Sequence, residues 1–277
     1  RFLRSHPQGS GLAGSSVGWA SSKGPVRSEN QDRLLVAFYP SGLSVAVLAD
    51  GMGGMREGAW AAATACATVA TYFAANSGRP AEVVLADAFR AADSEVFGTL
   101  RGEGGAAVAA LTWGPSGAFH AHAGDVRVYL HGRSGRMTQL TVDDTFEGLG
   151  KRSTEGSGHR AGLIQFVGMG QDLDPQVAEI EPEGRTLVLT SDGVHCLPHS
   201  VMEWIAGCAG NTRLLAQKLV ALSEWNGGQD NATAIVISVE GPGAAFQEQI
   251  EYWIPGVCVL SALGAARSVR EEPVAEF

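Results

Sequence analysis

The sequence is poor in three features that mark particular classes of protein: basic side chains, paired cysteines and long apolar runs. Its 20 lysines and arginines are outnumbered by 29 aspartates and glutamates, so the formal net charge is −9. Nucleic acids and anionic membranes bind basic surfaces, and this balance therefore argues against either as the main partner. Hydrophobic residues make up 45% of the chain and charged residues only 18%, which excludes a disordered protein.

The four cysteines are far apart and include no Cys-x-x-Cys pair. They are predicted to be reduced, mostly buried thiols of a cytoplasmic protein, and a core of this size folds without disulfides. The longest uncharged apolar stretch, 254–266, is too short to span a bilayer, so no membrane span is expected. Residues 1–14 are polar and rich in glycine and serine, and are predicted to be a flexible N-terminal segment without a signal peptide.

The first half of the chain predicts strands followed by two helices. Short β-like runs lie within residues 15–49, and the run at 44–49 lacks alternation, as expected of a strand buried on both faces. An alanine-rich run without proline or internal glycine predicts a helix over 57–75, and apolar residues at helical spacing predict a second over 81–100. Four further runs within 106–142, separated by short glycine turns, predict an antiparallel meander.

The second half predicts a loop, a buried strand, two helices, a final strand and a tail that docks on the body or binds a partner. These elements are expected at 143–162, 186–193, 201–206, 212–225, 232–239 and 241–277, respectively. Helices are grouped in this order and do not alternate one-for-one with strands. The pattern therefore favours an α+β fold, with helices packed on antiparallel sheets, over a doubly wound parallel sheet.

Four aspartates end apolar strands or lie within glycine turns. They are Asp50 in LADGMGG, Asp125 in AGDVR, Asp192 in TSDGV and Asp230 in GGQDN. A carboxylate at the end of a buried strand is partly desolvated, which costs free energy unless a cation or a hydrogen-bond donor compensates it. One such aspartate is commonly a turn residue or a helix cap, but four converging ones need a metal. Oxygen-only ligands favour Mg²⁺ or Mn²⁺ over zinc.

Five motifs then stand in the order of the metal-dependent protein phosphatase family, type 2C, and the chain resembles its bacterial members most. They are RSENQD (27–32), DGMGG (50–54), GDVR (124–127), SDG (191–193) and GGQDN (227–231). The resemblance spans residues 15–240 and implies one phosphatase domain with two stacked antiparallel sheets flanked by helix pairs. It also implies a serine/threonine phosphatase that hydrolyses phosphorylated proteins with metal-activated water, opposing a cognate kinase.

The resemblance assigns metal ligands motif by motif, for two Mn²⁺ or Mg²⁺ ions and a third in bacterial relatives. Asp50 would bridge two metals without a covalent role, and the Gly51 carbonyl would bind one of them. Asp192 and Asp230 would hold the other. Asp125, together with Asp192, would serve the third.

The remaining assigned residues bind the substrate or border the site. Arg27 corresponds to the arginine that receives the substrate phosphate, and its planar fork suits a phosphate dianion. Asp32 matches the acidic residue that orders metal-bound water, so Arg27, Asp32 and Asp50 are the predicted catalytic residues. Asp143 and Asp144 match the acidic start of the family's flap.

Three departures from the family pattern motivate an alternative. Gln31 stands where the family often has glutamate, Val126 replaces a serine, and residues 143–160 form a shortened, glycine-rich flap. The alternative is a catalytically weak pseudophosphatase that acts as a phosphoprotein-binding regulatory module. The complete set of metal aspartates favours the enzyme.

Other motifs compete less well with this assignment. The glycines after Asp50 fit G-x-G-x-x-G only loosely, and the carboxylate would repel a dinucleotide pyrophosphate. Cys196 is predicted to be a buried thiol, because a cysteine phosphatase needs an arginine where Met202 stands. His120 and His122 share one strand face and are predicted to face solvent. The six tryptophans are predicted to pack in the core.

Overall fold

The computed structural model describes residues 15–39, 41–52, 57–76, 78–115, 117–145, 162–170, 173–181, 185–239, 249–254 and 257–261. Within these ranges the chain forms two antiparallel sheets, one of five strands and one of seven, with helices packed against them. The predicted α+β sandwich is confirmed. Among the described residues, no helix has the length and apolar character needed to cross a bilayer. The predicted flexible segment 1–14 lies outside the described residues.

In chain order the strands are β1 (Ser15–Ser22), β2 (Asp32–Phe38), β3 (Ser44–Gly51), β4 (Ala106–Gly114), β5 (Gly117–Ala123), β6 (Arg127–His131), β7 (Met137–Gln139), β8 (Gln176–Ile180), β9 (Arg185–Thr190), β10 (Ala232–Val239), β11 (Gln249–Ile254) and β12 (Val257–Ser261). The helices are α1 (Gly58–Ala75), α2 (Ala81–Leu100), α3 (Asp192–His195), α4 (His199–Cys208) and α5 (Thr212–Trp225). The strand order is β1-β10-β9-β6-β7 in one sheet and β12-β11-β2-β3-β4-β5-β8 in the other.

Strand β3 shows why its sequence lacks alternation. Val45 and Val47 pack in the layer beneath α1 and α2, whereas Ala46 and Leu48 pack in the layer between the two sheets. All four side chains are fully buried, so both faces of the strand must be apolar. The sequence-based prediction of a strand buried on both faces is confirmed.

The long helices follow the predicted boundaries closely. Helix α2 matches the prediction, α5 matches it as well, and α1 begins at Gly58, one residue later than expected. Alanines dominate the buried face of α1, which lets its backbone lie close to β3. Helix α4 is longer than the predicted segment 201–206 and, with α5, encloses a separate core on the outer face of the five-stranded sheet.

Two expectations about the strands are wrong. The predicted single meander is divided between the sheets, because β4 pairs with β5 in one sheet whereas β6 pairs with β7 in the other. The chain turns between them at Gly124, whose φ of +111° favours glycine. Strand β10 is also not the last strand, since β11 pairs with β2 and β12 pairs with β11.

Several side chains also differ in exposure from what the sequence predicts. His120 and His122 are buried, not solvent-facing, because β8 pairs beside them and their face of β5 points between the sheets, as Ala118 does. Cys66 is buried as expected, but Cys196 and Cys208 are exposed.

The tryptophans do not all pack in the core. Trp113 is buried, whereas Trp60, Trp204 and Trp225 are exposed to 37%, 69% and 87% on helices. All three lie on solvent-exposed surfaces of their helices. The prediction was wrong because the composition of a helix does not show which of its faces meets a sheet.

The hairpin of β11 and β12 covers strand β2 at one edge of the seven-stranded sheet, and its removal tests this role. Pairing runs from Gln249 opposite Phe38 to Trp253 opposite Leu34, along a strand whose seven residues are all buried. A chain ending at residue 240 exposes this apolar edge, which favours pairing with another chain. We expect it to self-associate in light scattering and to melt several degrees lower. A chain ending at residue 261 keeps the hairpin and is the matched control; equal behaviour of both would contradict this role.

Candidate metal centre

The site begins where β2 starts and β3 ends. These strands are antiparallel, and Asp32 stands directly opposite Asp50 in their register. Gly51 follows at the point where three backbone segments meet. A Cβ there would lie 2.4 Å from the Gly58 carbonyl oxygen and 2.9 Å from that of Gln31. Only glycine allows this approach, which holds the start of α1 and the residue before β2 against the end of β3.

The other sheet brings its aspartates to the same end. Asp192 opens α3 directly after β9, and Asp230 lies just before β10, the strand that pairs with β9. A Cβ on Gly193 would lie 1.9 Å from the Asn231 carbonyl oxygen, so the two loops touch through their backbones. Asp125 lies between β5 and β6. Strands of both sheets therefore end at one group of carboxylates.

Burial and mutual repulsion shift these carboxylates away from their ordinary behaviour. Burial raises the pKa of Asp32 to about 7, against the lowering effect of two hydroxyl groups. Burial, followed by repulsion from Asp32 and Asp192, raises the pKa of Asp50 well above its usual range. Burial and nearby aspartates raise the pKa of Asp125 and of Asp192 to about 6 in each case. These shifts arise because Asp32, Asp50, Asp125 and Asp192 are poorly solvated and lie near other aspartates, among them Asp230.

Individual oxygen atoms show that the site suits a cation. The Oδ2 atom of Asp32 accepts hydrogen bonds from Ser191 Oγ at 2.8 Å and from Thr233 Oγ1 at 2.6 Å. Its Oδ1 atom and the Oδ1 atom of Asp192 are buried and have no hydrogen-bond partner among the described residues. Buried carboxylate oxygens without donors are the ligands that Mg²⁺ and Mn²⁺ prefer. The residues present therefore fit divalent cations.

Distances within the site do not by themselves define an ion position. In the ranges that the structure describes, no three carboxylate, histidine or cysteine side chains form a group able to hold one metal ion. Burial raises the pKa of Asp50 most, and repulsion from the nearby carboxylates of Asp32, Asp192, Asp125 and Asp230 raises it further. The aspartates therefore lie around a shared space, and no three of the described side chains converge on one point in it.

Arg27 lies beside this group. Its Nη2 atom is 2.5 Å from Asp230 Oδ2, and the guanidinium also lowers the pKa of Asp192, which burial and Asp230 raise more strongly. About 28% of the Arg27 side chain is exposed, so it remains reachable from solvent. A guanidinium has five N–H donors in a planar fork, which leaves donors available to a phosphate.

Asn231 holds the loop that carries Arg27, a role the sequence analysis missed. Its side-chain nitrogen donates to the carbonyl oxygens of Lys23 and Glu29, both at 2.9 Å. Its Oδ1 atom accepts from the Gln31 backbone N–H at 2.8 Å. The residue is buried, and its own N–H donates to Asp230 Oδ1 at 2.9 Å. Its place at the end of GGQDN indicates that Asn231 lies near the site, but the motif does not predict its hydrogen bonds to the segment 23–31.

The predicted flap residues border Asp125 from the other side. Arg127 donates to both carboxylate oxygens of Asp143, with the shortest distance 2.6 Å. The Asp144 carboxylate accepts from the Gly124 N–H at 3.0 Å, and its carbonyl accepts from the Ile164 N–H at 2.8 Å. These contacts join both ends of the flap segment to the turn that carries Asp125. Flap residues 146–160, and the glycines at 53 and 54, lie outside the described residues.

The structure shows where two of the departures from the family pattern lie. Val126 is fully buried in the layer between the sheets. Valine in place of the family's serine therefore adds an apolar side chain to the core. The Gln31 backbone joins the site through Gly51 and Asn231. His120 and His122 pack between the sheets, with His122 bonded to the Val142 carbonyl, and they do not join the carboxylates.

Comparison with known proteins agrees with this geometry. The family model described as protein phosphatase 2C matches residues 26–213. The serine/threonine protein phosphatase PstP of Mycobacterium tuberculosis is 28% identical over 233 residues, covering 79% of this chain and 44% of the relative. This chain thus spans less than half the length of that relative.

Solved structures show the same architecture. The Ser-Thr phosphatase MsPP from Mycobacterium smegmatis, in complex with cacodylate, matches with a TM-score of 0.68 and 29% identity, covering 81% of this chain and 98% of that chain. The catalytic domain of PstP with two manganese ions matches with a TM-score of 0.69 and 27% identity, covering 82% and 99%. Since the family model also covers more than half of the sequence, this chain belongs to the protein phosphatase 2C family.

Proposed function

We propose that this protein hydrolyses phosphoserine and phosphothreonine in phosphorylated proteins, using a water activated at a binuclear Mn²⁺ or Mg²⁺ centre. The observation that carries the proposal is the group of five aspartates next to Arg27, of which Asp32, Asp50, Asp125 and Asp192 have raised pKa values. A cation site and a phosphate-binding arginine lie together at one end of the sandwich. The manganese-bound PstP catalytic domain supports the same assignment.

The metal ligands follow the family motifs. Asp50, with the Gly51 carbonyl, would hold one cation, and Asp50, Asp192 and Asp230 the other. Asp125 would serve a third. When bound, such cations would make a water more acidic and stabilise negative charge on the leaving oxygen.

The chain's own groups orient the substrate and water. Arg27 presents its remaining N–H donors to the phosphate, and its loop is fixed by Asn231. Ser191 and Thr233 engage the Oδ2 atom of Asp32, which leaves its Oδ1 atom to orient a water when cations are bound. Met52 cannot donate a proton, so no side chain at that motif position protonates the leaving group.

The replacement of serine by Val126 no longer supports the pseudophosphatase alternative, because Val126 is a core residue in this fold. Phosphorylated proteins, and a cognate kinase with its targets, are the proposed partners. The cytoplasmic location stays a prediction.

Hydrolysis of a small aryl phosphate tests the proposal. We expect turnover that requires Mn²⁺, is abolished by EDTA, and falls at least about a hundredfold in kcat for Asp192→Ala, since a lost metal ligand removes several kcal/mol of charge stabilisation. Asp87→Ala is the matched control, because Asp87 pairs with Arg79 on the surface of α2. Turnover equal in wild type and Asp192→Ala would refute the enzyme, and EDTA-resistant turnover would refute its metal dependence.

The raised pKa values predict how pH affects stability. The pKa values of Asp125, Asp192 and Asp32 rise from 3.8 to about 6, 6 and 7, respectively, so the folded chain binds protons more tightly than the unfolded chain. The free energy of unfolding should therefore fall as the pH rises from about 4 to 7. In EDTA, we expect the melting temperature to drop across this range, by calorimetry.

Divalent cations should reverse that trend, because they compete with protons for the same oxygens. Added Mn²⁺ should raise the melting temperature more at pH 8 than at pH 5, with NaCl at equal ionic strength as the control. An equal rise at both pH values would contradict a site built from these carboxylates.

Asn231→Asp tests the loop that carries Arg27. A carboxylate has the same shape but cannot donate to the carbonyls of Lys23 and Glu29. Losing two hydrogen bonds of ~1 kcal/mol each should raise KM, and the inhibition constant for inorganic phosphate, by up to about thirtyfold. Asn211→Ala is the control: Asn211 caps α5 through the Leu214 N–H, so its loss lowers stability by ~1 kcal/mol and leaves KM unchanged. Similar KM values for both variants would show that Asn231 is only structural.

A further inference from the structure

The last turn of α5 reaches the same end of the sandwich as the carboxylates. Near the start of the helix, the Arg213 backbone lies 2.4 Å from where a Cβ on Gly18 of β1 would be. Near its end, Ser22, the last residue of β1, donates a hydrogen bond to the Glu224 carboxylate. Helix α5 and β1 therefore run side by side in the same direction. Both end where the loop 23–31, which carries Arg27, begins.

This last turn is also fixed to the site by two further contacts. The Ser223 hydroxyl donates to the carbonyl oxygen of Gly193, the residue after Asp192. A Cβ on Gly228 would lie 2.5 Å from Pro25 Cδ and 3.3 Å from Glu224 Cα, so the helix end, the loop after it and the Arg27 loop touch. The helix end is held by backbone and buried contacts, which provide a rigid base for the last residue of the helix.

That residue is Trp225, which is 87% exposed, and Val26, the neighbour of Arg27, is 57% exposed. We propose that Trp225 and Val26, which we call the rim pair, bind an apolar side chain close to the phosphorylated residue of a substrate protein. The proposal rests on the proposed function and adds a substrate preference to it. A phosphate at Arg27 brings the flanking peptide over Val26, because the two residues are adjacent in the chain.

The occupant is a peptide segment and not a second copy of this chain. Stable protein–protein contacts bury roughly 800 Å² on each partner, far more than two side chains offer. An apolar residue of a bound peptide needs only a small surface, and a rigid tryptophan supplies contact area with little loss of conformational entropy. Exposed tryptophan is also costly to hydrate, at about 25 cal/mol for each Å² of apolar surface, so covering it favours binding.

The test compares phosphothreonine peptides with leucine or with serine at the positions flanking the phosphoresidue. We expect wild type to prefer the leucine peptides in kcat/KM, and Trp225→Ala to lose about tenfold on them, as expected for a truncated aromatic contact residue. Val26→Ser should lose less, in the same direction. Turnover of the small aryl phosphate should not change in either variant, because that substrate has no flanking residues.

Trp204→Ala is the matched control. Trp204 is 69% exposed on α4. Its neighbour Glu203 accepts a hydrogen bond from the Met137 N–H of β7, and Met137 pairs with His131. His131 is at the opposite end of β6 from Arg127, so Trp204 lies away from the carboxylates. This variant should keep the leucine preference. An unchanged preference in Trp225→Ala, or an equal loss in Trp204→Ala, would overturn the proposal. A change of oligomeric state on gel filtration of Trp225→Ala would also overturn it, by identifying a second copy as the occupant.

A binding readout separates this proposal from the proposed function. Anisotropy of labelled phosphopeptides is measured on Asp192→Ala and on the same variant with Trp225→Ala added, so that turnover plays no part. Weaker binding of only the leucine peptide to the double variant supports the rim pair. If wild type fails to hydrolyse the aryl phosphate, the proposed function fails, and the anisotropy still decides the role of the rim pair.

Discussion

The repulsion among buried carboxylates is the constraint on which the rest of this structure depends. Five aspartates reach one end of the sandwich, and burial raises the pKa of four of them. Such a group is unfavourable in any fold that has nothing to compensate it. Each neighbouring feature reduces this cost: the hydroxyls of Ser191 and Thr233 bond Asp32, and Arg27 pairs with Asp230. Oxygens left without donors suit divalent cations.

Both sheets are needed to place the aspartates. Asp32 and Asp50 lie opposite each other in the seven-stranded sheet, whereas Asp192 and Asp230 follow and precede neighbouring strands of the five-stranded sheet. Backbone segments touch at two glycines beside these aspartates, Gly51 at the end of β3 and Gly193 in α3. A side chain at either position would force the segments apart and separate the carboxylates. Glycine makes up 37 of the 277 residues, and the packing of backbone segments against one another explains part of this high content.

Periodic patterns predicted the parts of the fold whose packing is local. The buried faces of α1 and α2 and the two-sided burial of β3 follow from spacing alone. Strand β8 has mostly exposed or half-buried residues, so no apolar run marked it, and without it His120 and His122 could not be predicted to be buried. Exposed tryptophans on α4 and α5 were misplaced because composition does not show which helix face meets the sheet. The candidate aspartates were visible because each lies beside an apolar strand or within a glycine turn, whereas the amide bonds of Asn231 depend on segments distant in sequence.

The position of Asn231 also follows from the charge balance. Arg27 bonds one oxygen of Asp230, the Asn231 N–H bonds the other, and the Asn231 side chain holds the Arg27 loop. These contacts form a closed ring in which Arg27 and Asn231 each bond one oxygen of the Asp230 carboxylate. An aspartate at 231 would keep the shape but add a negative charge beside five carboxylates, and it would repel the carbonyls that the amide now bonds. The neutral amide is thus required because it positions a cationic side chain without adding to the repulsion that shapes the site.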